Sequence, residues 1–155
     1  MTIARNPIHV EALIKLQKTN PAFNENLTSF IYGQVLNRGD HFIDVGVQVG
    51  HHLFPMARRV SSKGRGLGIE ANPDMYKYLD KNIDGNPKFS KTIKLVKLGA
   101  GKTPGHAKFY ARQGFPGWSS THETHVHPNE LESANVIDIE IDTIDNIVSL
   151  SLIHI

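Results

Sequence analysis

The chain contains no cysteine, and this excludes disulfide staples and thiolate metal sites. Charge of either sign is not in excess: 17 basic against 15 acidic residues leave a formal net charge of +2. That balance is too slight to mark a nucleic-acid or anionic-membrane binder. No apolar run approaches the roughly 20 residues that span a bilayer, and the first residues, Met1 to Pro7, lack the apolar core of a signal peptide. Internal repeats are absent as well. These features describe a soluble chain with no nucleic-acid or membrane partner, and the lack of cysteine suits the cytoplasm. The 155 residues suffice for one domain with a core, and 39% hydrophobic with 21% charged residues fits a globular protein.

The stretch that organises the rest is Phe42-Ile43-Asp44-Val45-Gly46-Val47-Gln48-Val49-Gly50. Strand formers lead into a glycine turn. After Gly50 the apolar residues Leu53, Phe54, Ala57 and Val60 recur at helical steps. Strand, glycine turn and helix open a nucleotide-binding α/β unit. Glycine lets a ligand approach the backbone, and the helix start presents free N–H groups.

Upstream, residues 8–18 and 24–36 are expected to be helical, the first ending at Asn20-Pro21 because a residue before proline leaves the helical region. These helices, residues 1–36, are expected to cap the sheet. Downstream, residues 61–66 read as a turn and residues 67–70 as a second strand with Glu70 at its end. Asn72 and Pro73 provide an N-cap and a first helical residue. That helix is expected to run to about residue 82, and Gly85-Asn86-Pro87 breaks it. Residues 93–98 form a third strand ended by Gly99-Ala100-Gly101. The order βαβαβ implies a parallel sheet. Residues 106–110 and 136–142 follow as two strands without an intervening helix, which implies antiparallel pairing. The fold class is therefore α/β: a three-layer Rossmann-like sheet, incomplete, with N-terminal helices and late antiparallel strands.

In such a sheet ligands bind beyond the C-terminal ends of the strands. Asp44 and Gly46 to Gly50 end the first strand, Glu70 ends the second, and Gly99-Ala100 end the third. A carboxylate at the second position can accept hydrogen bonds from both ribose hydroxyls. The turn lacks the G-x-G-x-x-G spacing of a dinucleotide site, and no G-x-x-x-x-G-K-[ST] loop occurs. A nucleoside ligand without a pyrophosphate fits better, such as S-adenosyl-L-methionine.

The blocks Asp44-Val45-Gly46-Val47-Gln48-Val49-Gly50, Glu70-Ala71-Asn72-Pro73, Leu95 to Gly101 with Gly105 and Phe109, and Ile139 to Asp145 resemble, in order, motifs of the FkbM-type S-adenosylmethionine-dependent methyltransferases. Their patterns are D-V-G-A-N-x-G, E-P-N-P, a strand and turn, and a segment ending in T-[LI]-D. Val47-Gln48 departs from Ala-Asn, and Ala71 departs from Pro. The resemblance implies that Asp44, Gly46 and Gly50 line the methionine end. It implies Glu70 on the ribose and Ala71, Gly99 and Ala100 near the adenine, with Val45 and Asn72 also counted as cofactor-binding. It implies methyl transfer to a hydroxyl of a small molecule or glycan, with no metal and with the catalytic group unassigned. Two other readings stay open: an NAD(P)-dependent oxidoreductase, and a non-catalytic nucleoside-binding fragment.

The family pattern continues with a strand of the form I-K-I-D-x-E-G, and nothing like it occurs. Residues 150–155 read Leu-Ser-Leu-Ile-His-Ile, the translation of CTGTCTCTTATACACATC, a transposon end used in sequencing libraries. Residues 149–155 are therefore read as a non-native tail. Residues 37–148 are then a partial cofactor-binding domain, expected to expose an unpaired sheet edge and to be weakly stable. The bland alternative is a genuine apolar strand.

Several polar clusters have simpler readings. His122, His125 and His127 have a metal-like spacing but lie in a loop. His51 and His52 stand at the glycine turn, either as surface residues or with one acting as a base. Residues 118–121, Trp-Ser-Ser-Thr, are either an acceptor-pocket wall or a loop with one anchoring aromatic. Asp138, Glu140 and Asp142 read as the wet face of an edge strand.

Overall fold

The computed structural model describes residues 23–111, 119–122 and 135–150. The expected helix over residues 8–18, Trp118, His125, His127 and residues 151–155 lie outside them. The chain divides into two compact units, Met1–Leu36 and Asn37–Ile155. In the first, helix α1 spans Phe23–Val35. No helix among the described residues is long and apolar enough to cross a membrane.

The second unit starts from Asn37-Arg38-Gly39-Asp40, where Asp40 Oδ2 accepts the Asn37 N–H at 2.7 Å. Strand β1 (His41–Val45), strand β2 (Arg65–Ile69) and strand β3 (Ile93–Val96) form a parallel sheet in the order β1-β2-β3. Ile43 pairs with Leu67, and Gly68 with Leu95. Alternation along each strand sends Leu67 and Ile69 to one face and Gly66 and Gly68 to the other.

Helix α2 (Leu53–Val60) buries Leu53, Ala57 and Val60, one side of the cylinder, and ends on Arg58 and Arg59, favourable charges for a helix C-terminus. It lies on the glycine face. A Cβ on Gly68 would stand 3.3 Å from Leu53 Cδ1 and 3.0 Å from Leu95 Cδ1, so the missing side chain is the room the helix occupies. A 3₁₀ turn, Ser61–Lys63, leads into β2.

Helix α3 (Pro73–Asp84) starts as expected: the Asn72 side chain accepts the Asp74 N–H at 3.0 Å and Pro73 takes the first turn. It buries Leu79 and Ile83. Asn86-Pro87 then repeats the same chemistry. Asn86 accepts the Lys88 N–H at 3.2 Å and opens the one-turn helix α4 (Pro87–Ser90), where the sequence suggested only a break.

Beyond β3 the expected turn at Gly99-Ala100 is instead a two-residue strand, β4, pairing in parallel with the late strand β6 (Asn135–Asp142). The cause is steric. A Cβ on Gly99 would lie 2.8 Å from Ile141 Cγ2 and 3.1 Å from Ile139 Cδ1, so glycine alone lets β6 close on it. Strand β5 (Gly105–Ala111) pairs antiparallel with β6, as expected, and completes a second sheet of order β4-β6-β5.

Helix α5 (Ile144–Leu150) was not foreseen. Thr143 Oγ1 accepts the Asn146 N–H at 3.2 Å, and Asp142 Oδ1 accepts from Thr143 N at 2.7 Å and Asn146 Nδ2 at 2.8 Å. Asp142 is thus a half-buried capping residue rather than part of a wet strand face; Asp138 and Glu140 are exposed as expected. Helix α5 lays Ile147 against Leu67 and Ile69, with Val148 alongside. The first sheet is therefore covered on both faces, by α2 on one and α5 on the other, a three-layer α/β arrangement.

Candidate functional site

Parallel strands place their C-terminal ends together, and the chain leaving each strand builds the site there. After β1, Gly46 adopts φ +79° and its N–H donates to the Ile69 carbonyl at 2.9 Å. The turn is thereby bent over the end of β2. Gly50, at φ +86°, closes it with an N–H donated to the Val47 carbonyl at 2.8 Å. A side chain on Gly50 would run into the ring of Phe54.

Glu70 is the first residue past β2, and it is 5% exposed. Oε2 accepts the Gln48 N–H at 2.6 Å, and Oε1 accepts the Asn72 N–H at 2.7 Å. One carboxylate thus ties the turn after β1 to the start of α3. An ionised carboxylate has about four lone-pair directions, so each oxygen keeps a second one for a ligand. Gln48 is held at φ +52°, in the left-handed region that a non-glycine residue rarely enters.

These elements frame a cavity of about 320 Å³, within the usual size of small-molecule sites. Val45, Gly46, Glu70, Ala71, Gly99 and Ala100 line it, six of the nine residues expected from the sequence. Asp44, Gly50 and Asn72 stand outside the lining. Gly50 and Asn72 shape the wall from behind, one by closing the turn and the other by capping α3. Asp44 has a buried Oδ2 with no hydrogen-bond partner. Burial pushes its carboxyl above the usual range; the positive field of His52 opposes this and the negative charge of Glu70 adds to it. The two acids therefore lie within each other's field.

Residues beyond those nine complete the wall. Met75, Leu98, Ile139 and Ile141 give it an apolar side, together with Phe109. Ile139 and Ile141 could not be found without knowing that β6 pairs with β4. Ser119, Ser120 and Thr121, part of the segment read either as an acceptor-pocket wall or as a loop, also line it, brought in by a bridge in which Tyr110 N donates to the Ser120 carbonyl at 2.9 Å. His51 and His52 pack edge to face at 5.1 Å and do not line the cavity. Among the described residues no cluster of three or more His, Cys, Asp or Glu is arranged to hold a metal ion, His122 included.

No protein-family model matches the chain, and no curated protein matches it. Parts of solved structures are similar to it. A SAM-dependent O-methyltransferase from Thermotoga maritima is 22% identical over 50% of this chain, with a TM-score of 0.43. A SAM-dependent methyltransferase from Aquifex aeolicus is 20% identical over 61%, with a TM-score of 0.41. The methyltransferase FkbM from Methylobacillus flagellatus KT is 16% identical over 74%, with a TM-score of 0.47. The chain spans 31%, 50% and 24% of those three chains, respectively.

Proposed function

We propose that the cavity is the cofactor site of an FkbM-like S-adenosyl-L-methionine-dependent methyltransferase, acting on a hydroxyl of a small molecule or glycan. The observation that carries this reading is Glu70. Its carboxylate is buried on the cavity wall at the end of β2, fixed by two backbone amides, with one lone pair per oxygen left over. That is an acceptor pair suited to the two vicinal hydroxyls of a ribose.

The other residues suit the rest of the ligand. Gly46 lines the cavity, and a Cβ there would meet nothing within 4 Å, so the space beside its backbone is open. Asp44 lies beside that turn but outside the lining, with a buried oxygen that has no hydrogen-bond partner. Ala71, Met75, Leu98, Gly99 and Ala100 supply a small-residue and apolar slot for a purine ring. S-adenosyl-L-methionine, when bound, supplies an already activated methyl group. The work left to the chain is to grip the sugar, orient the sulfonium end along the glycine turn, and keep water from the apolar wall.

Calorimetric titration of the full chain with S-adenosylhomocysteine and, separately, NADH and NADPH tests this reading. Binding of S-adenosylhomocysteine that is lost in Glu70→Ala supports it. Binding of a nicotinamide nucleotide alone favours an oxidoreductase and overturns it.

A further inference from the structure

At the opposite end of the parallel sheet, where β2 and β3 begin, lies a second cleft of about 490 Å³. It shares no residue with the cavity above. Arg58, Lys88 and Lys91 line it, and its described lining includes no aspartate or glutamate. Three exposed cations around one concavity, without a carboxylate to balance them, repel each other. Arg58 is also directed: its guanidinium carbon sits 5.6 Å from the centroid of the Phe89 ring, which forms part of the same wall.

Ser61 is the second, independent observation. It lines the cleft, and its backbone is held at φ +59°, ψ −171°, a region that is almost only open to glycine. Its Oγ is buried and has no hydrogen-bond partner. A serine is thus kept where glycine would fit without strain, with its hydroxyl unsatisfied, beside three cations. Thr92, on the same wall, already donates its hydroxyl to the Lys88 carbonyl at 3.0 Å and ties that segment in place.

We propose that this cleft binds a phosphate or phosphomonoester group, with Arg58, Lys88 and Lys91 neutralising it and the Ser61 hydroxyl donating to one of its oxygens. Charge-assisted hydrogen bonds to an anion answer both the clustered positive charge and the orphaned donor. The proposal does not rest on the methyltransferase reading, since the two sites lie at opposite sheet ends and involve different residues.

The test is a ¹H–¹⁵N titration of the full chain with inorganic phosphate, against chloride at matched ionic strength. Saturable shifts are expected at the amides of residues 58–62 and 88–92 with phosphate only. The triple variant Arg58→Gln, Lys88→Gln, Lys91→Gln is expected to weaken binding by roughly tenfold or more. Ser61→Gly relieves the backbone, so it is expected to melt at a higher temperature yet bind phosphate several-fold more weakly. Shifts that do not saturate, that occur equally with chloride, or that survive undiminished in the triple variant or in Ser61→Gly overturn the proposal.

Discussion

The carboxylate of Glu70 accepts the Gln48 N–H at 2.6 Å, so the acid that ends the second strand also fixes the turn that leaves the first. Its other oxygen holds the Asn72 N–H at 2.7 Å. Fold and site therefore depend on the same side chain. Glu70→Gln keeps one acceptor oxygen but turns an NH₂ toward a backbone donor; it is expected to cost about 1–3 kcal/mol. Glu70→Ala leaves both amides without an acceptor and is expected to cost about 2–4 kcal/mol. Urea unfolding measures both. If S-adenosylhomocysteine binds, its affinity falls in each variant, and under conditions where Glu70→Gln is still folded.

Gln48 itself tests the turn. At φ +52° a residue unbranched at Cβ is tolerated but strained, and asparagine enters this region more readily. Gln48→Asn is expected to stabilise the chain by about 0.5 kcal/mol. Gln48→Val places a β-branched side chain in the same conformation and is expected to destabilise by about 1–3 kcal/mol. Equal midpoints for the two variants in urea would show that the turn is not held in this conformation.

Gln48, which stands where the family pattern has Asn, is held at φ +52°, a backbone conformation that a string of letters does not display. The three parallel strands and the helices after them were legible because their signals are local. Asn72-Pro73 caps a helix through contacts within three residues, and Leu53, Ala57 and Val60 mark one helical side. Glu70, Gly46 and Gly99-Ala100 follow from where strand ends must lie, and Ala71 from the family resemblance. What was missed depends on distant pairing. Gly99 reads as a turn until Ile139 and Ile141 are known to press on it. Helix α5 has a local signal in Thr143, whose hydroxyl accepts from Asn146, but by sequence alone the segment reads as the end of a motif.

Asp44 leads to a pH prediction. Burial raises its carboxyl pKa in the folded chain above the unfolded value, against the opposing field of His52 and with that of Glu70. The folded state thus favours the protonated acid. The stability this group contributes is fully present below the ordinary carboxylate pKa, about 4, and is lost as pH rises through the higher folded value. Asp44→Asn removes the ionisation. The variant is expected to melt above the parent near neutral pH, with the difference shrinking to nothing in acid. Thermal melts of the two proteins across pH check the sign. A gap that widens on acidification would mean that Asp44 is stabilised as its anion.

Ile147 decides whether α5 belongs to the core. It is 1% exposed and clusters with Leu67 and Ile69, with Ile43 and Val96 packed around them. Those residues lie on the sheet face opposite α2, so without α5 that face would meet water. Ile147→Ala deletes most of the buried side chain and leaves a cavity the sheet cannot collapse into, because Leu67 and Ile69 are fixed by pairing on both sides of β2. A loss of about 2–5 kcal/mol is expected. The exposed Leu150, at the end of the same helix and 74% accessible, serves as the control. Leu150→Ala is expected to change stability by less than about 0.5 kcal/mol. If the two substitutions shift the urea midpoint alike, α5 does not cover the sheet and the three-layer arrangement is wrong on that face.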